Sequence, residues 1–251
     1  MLAIIGGSGL YELEALQDRA DLSIATPWGA PSDVIARGRI GAEPALFLAR
    51  HARGHRVPPH QINYRANLWA LREAGAQEVV AVAAVGGIGS GCVPGALVVP
   101  DQLIDYTSGR AATYFDGADG AVTHVDFTDP YDARLREALV QSARRVGLPV
   151  IDGGVYGCTN GPRLETAAEI RRLARDGCTL VGMTGMPEAA LARELGLRYA
   201  CLAVVANVAA GLDSASATLS VESIMATLAA ALTDVKRVLV DLCETRHGGR
   251  A

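Results

Sequence analysis

Along the chain, short apolar runs alternate with segments in which apolar residues recur every three or four positions. The short runs, residues 2–5, 45–49, 78–85, 96–99, 154–156, 179–181 and 199–206, read as strands. The run Val79-Val80-Ala81-Val82-Ala83-Ala84-Val85 is apolar at odd and even positions alike, so its strand should be covered on both faces. Helical spacing is found at residues 61–74, where Ile62, Ala66, Trp69 and Ala70 precede a stop at Gly75. Residues 165–176 form a second, charged-faced candidate ended by Gly177. Residues 186–195 form a third, with Pro187 and Glu188 in its first turn and Leu191 packed over Leu195. The longest candidate, 220–243, opens on a Ser220 cap and Glu222 and carries the stripe Ile224, Leu228, Leu232, Val235. This alternation predicts an α/β fold with a mixed or mostly parallel central sheet flanked by helices. With no linker or repeat, residues 1–245 should form one domain and 246–251 a frayed tail. The stretches least like regular structure are 17–33, 52–60, 108–130 and 209–219, and long loops in compact domains tend to carry function.

Composition narrows this picture. Across 251 residues the chain is 50% hydrophobic but only 5% aromatic, so the core must be built from Ala, Val, Leu and Ile. The formal net charge is −4 and no basic run or stripe occurs, which argues against nucleic acid as a partner. The five cysteines are odd in number, lack CxxC spacing and lie mostly in apolar text, as expected of buried thiols in a reducing compartment. The N-terminal apolar run is five residues long, too short for a signal peptide or a membrane span, so the protein is expected in the cytoplasm.

Five segments could carry chemistry, each at the expected exit of a strand. Gly6-Gly7-Ser8-Gly9 follows the first strand and could aim backbone N–H groups and the Ser8 hydroxyl at an anion, or be a plain tight turn. It is not a dinucleotide fingerprint, because position 12 holds Glu12, and it lacks the Lys of a P-loop. Arg50-His51 ends the second strand, and a guanidinium fork beside an imidazole suits a phosphate dianion. His51 and His55 are four apart, but Gly54 and Pro58-Pro59 oppose a helix, so no metal site is expected. Thr159-Asn160-Gly161-Pro162-Arg163-Leu164-Glu165 places a carboxylate at a helix mouth, which could serve a ligand or merely the helix dipole. Thr184, before another helix, could bind an anion or simply cap. Asn207 ends a covered strand and would be costly to bury without a partner. In a parallel-type sheet these exits converge on one crevice, giving an anion site beside an amide and a carboxylate. That set fits phosphate together with a neutral, hydrogen-bonding heterocycle.

Taken together, Gly-Gly-Ser-Gly-Leu-Tyr, Arg50-His51, Asn63-Tyr-Arg-Ala-Asn67, Val85-Gly-Gly, Gly161-Pro-Arg-Leu-Glu-Thr, Gly182-Met-Thr-Gly-Met-Pro-Glu188 and the strand ending at Asn207 resemble the trimeric purine nucleoside phosphorylase and methylthioadenosine phosphorylase family. The similarity runs from residue 2 to about residue 240. It implies a single α/β domain and a reaction in which inorganic phosphate replaces the purine on a ribosyl C1′, with no cofactor beyond that co-substrate. By motif, Ser8, Arg50, His51, Ala84 and Thr184 resemble the phosphate-binding set, and Met183 resembles a residue against the ribose. Asn207, Val208 and Ala209 resemble the purine-facing segment, and His55 and Tyr64 resemble ribose-side positions. His124 resembles a residue that reaches a neighbouring subunit's 5′ pocket. Ala83 departs from the polar residue often found there, so the resemblance carries no phosphate contact over to that position. The resemblance further implies a homotrimer, or a dimer of such trimers, with the site at a subunit boundary.

Within it, the residues select a substrate. A 6-oxopurine carries N–H at ring position 1 and acceptors at O6 and N7; Glu165 can accept from the first, and Asn207 can serve the others. Adenine-selective relatives resemble a pattern with Asp at 207 and 209 and Ser at 165, where this chain has Asn207, Ala209 and Glu165. On the 5′ side the text reads Leu219-Ser-Val221-Glu-Ser-Ile224-Met225, where 5′-hydroxyl phosphorylases resemble one another in having His. An apolar Val221 would leave a hydroxyl unpaired and suits a methylthio group, though it also fits a core position on the long helix. The expected reaction is phosphorolysis of S-methyl-5′-thioinosine, with Asn207, Glu165 and His51 closest to the chemistry. The alternatives are methylthioadenosine or general inosine/guanosine phosphorolysis and, in another class, a non-catalytic nucleoside-binding protein.

Overall fold

In the computed structural model, which describes residues 1–117, 122–212 and 221–245, the apolar runs pair into one mixed sheet. Its strands are β1 (Leu2–Gly6), β2 (Gln17–Leu22), β3 (Ile35–Ile40), β4 (Glu43–Ala49), β5 (Glu78–Gly87), β6 (Leu97–Val99), β7 (Gln102–Asp105), β8 (Val150–Asp152), β9 (Val155–Cys158), β10 (Leu180–Gly182) and β11 (Arg198–Val208). The helices are α1 (Tyr64–Glu73), α2 (Ala133–Arg145), α3 (Ala167–Arg175), α4 (Gly185–Glu194) and α5 (Val221–Glu244).

β5 is the axis of the sheet. It runs parallel to β1 and to β11, while β1 runs parallel to β4. β10 joins antiparallel at its end, through Leu180↔Gly87 and Val181↔Gly86. Both faces of β5 and β11 are covered, as the uninterrupted apolar text required. Val79, Ala81, Ala83, Val85 and Tyr199, Cys201, Ala203, Val205 face a core shared with Leu68 and Leu71 of α1 and Ala189 and Leu191 of α4. Val80, Val82 and Ala200, Leu202, Val204 face the opposite core, with Leu135 and Leu139 of α2 and Leu228, Leu232 and Val235 of α5. The period of two along each strand thus feeds two cores at once. Among the described residues all five cysteines are free and buried, and no helix is long and apolar enough to cross a membrane.

Several expectations need correction. β2 lies inside residues 17–33, read as irregular: five of its six residues are exposed and three are charged, and only antiparallel pairing to β3 makes them a strand. β3, β7, β8 and α2 were also unmarked; the three-residue β8 is too short for periodicity to register, and α2 is capped by Asp132, whose side chain accepts from Leu135 N. The helix expected from residue 61 starts at Tyr64, because Pro59–Gln61 form a 3₁₀ turn and Asn63 is the cap, accepting from Ala66 N. α3 starts at Ala167, behind a capping box of Thr166 and Glu169. In α4, Met186 is extended at φ −120°, so regular helix begins at Pro187. The Ser220 cap and the 246–251 tail lie outside the described residues.

Candidate active site

A cavity of about 600 Å³ opens where β1, β4, β5 and β11 end together and β10 arrives from the opposite direction. Its lining brings together most of the residues singled out from sequence: Ser8, Arg50, His51, His55, Ala83, Ala84, Glu165, Met183, Thr184, Asn207 and Ala209.

One end is built from sheet backbone. The turn after β1 passes so close to β5 that a Cβ at Gly7 would lie 2.5 Å from the Val82 carbonyl oxygen and 3.3 Å from Arg50 Nη1. Glycine there lets the loop and the guanidinium share one space. Arg50 is 1% exposed. Its Nε and Nη2 donate to the two carboxylate oxygens of Glu188 at 2.7 and 2.8 Å, and Nη1 donates to Val82 O at 2.9 Å. Of its five N–H groups, one on Nη1 and one on Nη2 remain for a ligand. Glu188 is completely buried on α4 and also accepts from Tyr199 OH at 2.8 Å. The carboxylate holds the guanidinium charged against the cost of burial.

His51 is also buried, and its Nδ1 lies 2.8 Å from Val57 O. A carbonyl only accepts, so Nδ1 carries the proton and the neutral ring offers Nε2 as an acceptor. Burial, then the adjacent Arg50 charge, push the imidazole down to about 4. The ring stacks on His55 at 4.5 Å, and His55, at φ +54°, is bonded to Tyr11 OH at 3.0 Å. Thr184 stands at the N-terminus of α4 without a side-chain cap bond, so the capping reading is set aside.

The opposite end is built from loops and half-exposed side chains. Glu165 Oε1 accepts from Thr159 Oγ1 at 2.6 Å, which leaves Oε2 for a ligand. Register shifts between Val205 and Asn207, and this bulge turns Asn207 and Ala209 toward the cavity. Asn207 Nδ2 donates to Val208 O at 2.8 Å, leaving its second N–H and Oδ1. Ile224 of α5 closes the wall.

Three expected residues are not brought to this cavity. Val208 points away because side chains alternate along β11, so only its carbonyl matters, as the acceptor for Asn207. Tyr64 is a core residue, 3% exposed, whose hydroxyl donates to Pro59 O. His124 is exposed and lies outside the cavity lining of this chain. Val221 opens α5, but its side chain lies outside the described residues.

Sequence reading missed Glu188, Tyr199 and Thr159. Glu188 was explained as a dipole partner in a helix's first turn; the overlooked signal was a lone carboxylate in the otherwise apolar run Met186-Pro187-Glu188-Ala189-Ala190-Leu191. Thr159 opens the segment that ends at Glu165, but nothing in that spacing shows a hydroxyl reaching six residues ahead.

The sequence profile of the phosphorylase superfamily matches residues 1–244, and the chain belongs to that superfamily. Among curated proteins it is 56% identical, over 87% of its length and 89% of the relative's, to "Probable S-methyl-5'-thioinosine phosphorylase" of Pseudomonas syringae pv. tomato. It is 47% identical, over 86% and 83%, to "6-oxopurine nucleoside phosphorylase" of Pyrococcus furiosus. Among solved structures it is similar to methylthioadenosine phosphorylase from Schistosoma mansoni in complex with adenine, with a TM-score of 0.93, 31% identity and coverage of 98% and 92%.

Proposed function

We propose that this protein catalyses phosphorolysis of S-methyl-5′-thioinosine, releasing hypoxanthine and 5-methylthioribose 1-phosphate. The observation that carries the reading is a single cavity with a phosphate-type end, Ser8, Arg50, His51 and Thr184, and a 6-oxopurine-type end, Glu165 and Asn207. The relatives named for methylthioinosine and for 6-oxopurine nucleosides support the same base class.

Phosphate held at the sheet end lies beneath the ribosyl C1′. The two free N–H groups of Arg50 and the backbone of the Gly7–Ser8 turn donate to it, and neutral His51 Nε2 accepts from a phosphate hydroxyl. As the glycosidic bond lengthens, the phosphate charge stabilises the oxocarbenium-like carbon. The leaving hypoxanthine donates its N1–H to Glu165 Oε2. The C1′–N9 electron pair passes to the purine, the proton lost by the attacking hydrogen phosphate reaches N7 through solvent, and N7–H then donates to Asn207 Oδ1 while the remaining Asn207 N–H donates to O6. No covalent enzyme intermediate and no metal takes part; inorganic phosphate is the co-substrate. Ile224 gives the 5′ side an apolar wall, and Val221, on sequence grounds, belongs with it. The functional unit is a homotrimer, alone or paired, in which His124 serves a neighbouring site, and the protein works in the cytoplasm as one domain.

The test is an ultraviolet assay of purine release from methylthioinosine, methylthioadenosine and inosine, with and without phosphate. The highest kcat/KM is expected for methylthioinosine, and only with phosphate. Preference for methylthioadenosine would overturn the base assignment, and preference for inosine would overturn the 5′ assignment.

A further inference from the structure

We propose that Arg110 is the positioning residue that fixes the two ends of the cavity relative to each other. The inference rests on the phosphorolysis reading above. Arg110 lies in the irregular stretch after β7 and does not line the cavity. Its Nη2 donates to Asn160 O at 2.9 Å and Thr159 O at 3.4 Å, in the β9–α3 loop that carries Glu165. Its Nη1 donates to Met183 O at 2.9 Å and also to Met186 O, on either side of Thr184. One planar group therefore spans the base-side loop and the phosphate-side loop. A lysine, a point charge on a flexible stem, cannot hold both sets of carbonyls in fixed geometry.

Three further features set this arginine apart from an ordinary surface ion-pair residue. No carboxylate pairs with it among the described residues; its charge rests on main-chain carbonyls and on Tyr64 OH, 3.3 Å from Nη1. Its Nε is buried without a hydrogen-bond partner among the described residues, so the fork is directed toward the two loops at the expense of that donor. The segment bearing it is tied to the same loop from the other side, since Asn160 Nδ2 donates to Ser108 O at 3.1 Å and Asn160 Oδ1 accepts from Ser108 N at 3.2 Å. Tyr64, expected beside the ribose, belongs to this cage, with its ring 5.4 Å from the guanidinium. Thr159, whose carbonyl Arg110 holds, is the residue whose hydroxyl orients Glu165. Displacement of that loop by about 1 Å is enough to cost on the order of 10²-fold in rate.

The experiment compares wild type, Arg110→Lys and Arg110→Met in steady-state phosphorolysis of methylthioinosine and methylthioadenosine, with phosphate varied. Both variants should lose about 10²-fold in kcat/KM, raise KM for phosphate, and narrow the preference for the 6-oxopurine nucleoside. A purely structural arginine would lower Tm without moving that preference or the phosphate KM, and this result overturns the proposal. Hydrogen exchange at residues 159–165 and 183–187 supplies a readout independent of turnover. Faster exchange at both loops in Arg110→Lys supports the tie, and unchanged exchange overturns it even if the wild-type protein proves to act on another nucleoside. Wild type without phosphate-dependent purine release would fail the functional reading instead, leaving the exchange data to decide on Arg110.

Discussion

The two ends of the cavity are made in different ways. At the end proposed for phosphate Arg50, His51 and Thr184 are 1%, 4% and 7% exposed and sit just beyond strand ends, with Arg50 held by Glu188 of α4 and Val82 of β5 and His51 by the Val57 carbonyl. At the end proposed for the base Glu165 and Asn207 are half-buried, and the lining includes Leu164, 45% exposed. The first end gains rigidity from backbone that cannot move without breaking the sheet. The second depends on the loop before α3, on one hydroxyl and on one bulge at the end of β11. Chemistry common to a family belongs at the first end, and discrimination between nucleosides at the second.

Removing Arg50 tests that contrast most severely. Arg50→Met strands the Glu188 carboxylate in the core, and the loss should reach about 3–5 kcal/mol in chemical unfolding, with phosphate dependence abolished. The double variant Arg50→Met with Glu188→Leu should regain most of the stability but no turnover. If the double variant turns over at near wild-type rate, Arg50 does not bind phosphate.

His51 makes the next largest difference. With the folded imidazole at about 4 against 6.5 unfolded, the unfolded chain takes up a proton that the native protein refuses as pH falls through 6.5. Stability is therefore full above about pH 6.5 and declines toward pH 4, by up to about 3 kcal/mol, in the phosphate-free protein. His51→Gln should flatten that decline, measured as Tm against pH; an unaltered slope would assign the titration to other groups.

The base end should respond chiefly in selectivity. Asn207→Asp combined with Ala209→Asp should move the methylthioinosine to methylthioadenosine ratio of kcat/KM toward adenine by about 10–100-fold, and lower Tm as well, because Ala209 is 3% exposed and packs against Ile170, Leu173 and Val181. Ile224→Ala should be mildest, reducing the preference for methylthioinosine over inosine by about tenfold. Equal loss on both nucleosides would remove Ile224 from the 5′ wall.

Local text revealed a good part of this. The apolar runs that became β1, β4, β5 and β11 were legible because both faces of those strands are buried, and most residues proposed to bind phosphate could be read because they follow such runs directly. β2 was illegible because its residues gain strand geometry from β3 alone, and Tyr64 was misplaced because the text shows a tyrosine near a site but not which way a helix turns it.

By itself, then, the sequence determined the layered α/β fold, the five strand exits and the residue types that converge there, since periodicity and turn chemistry act over a few neighbouring residues. Only the tertiary structure decided that Glu188, 138 residues from Arg50, holds the guanidinium, that Thr159 aims Glu165, and that Arg110 joins the two loops. These are pairings between buried or half-buried polar groups. Their partners are set by which backbone segments the folded sheet brings within hydrogen-bond reach, and no local pattern records that.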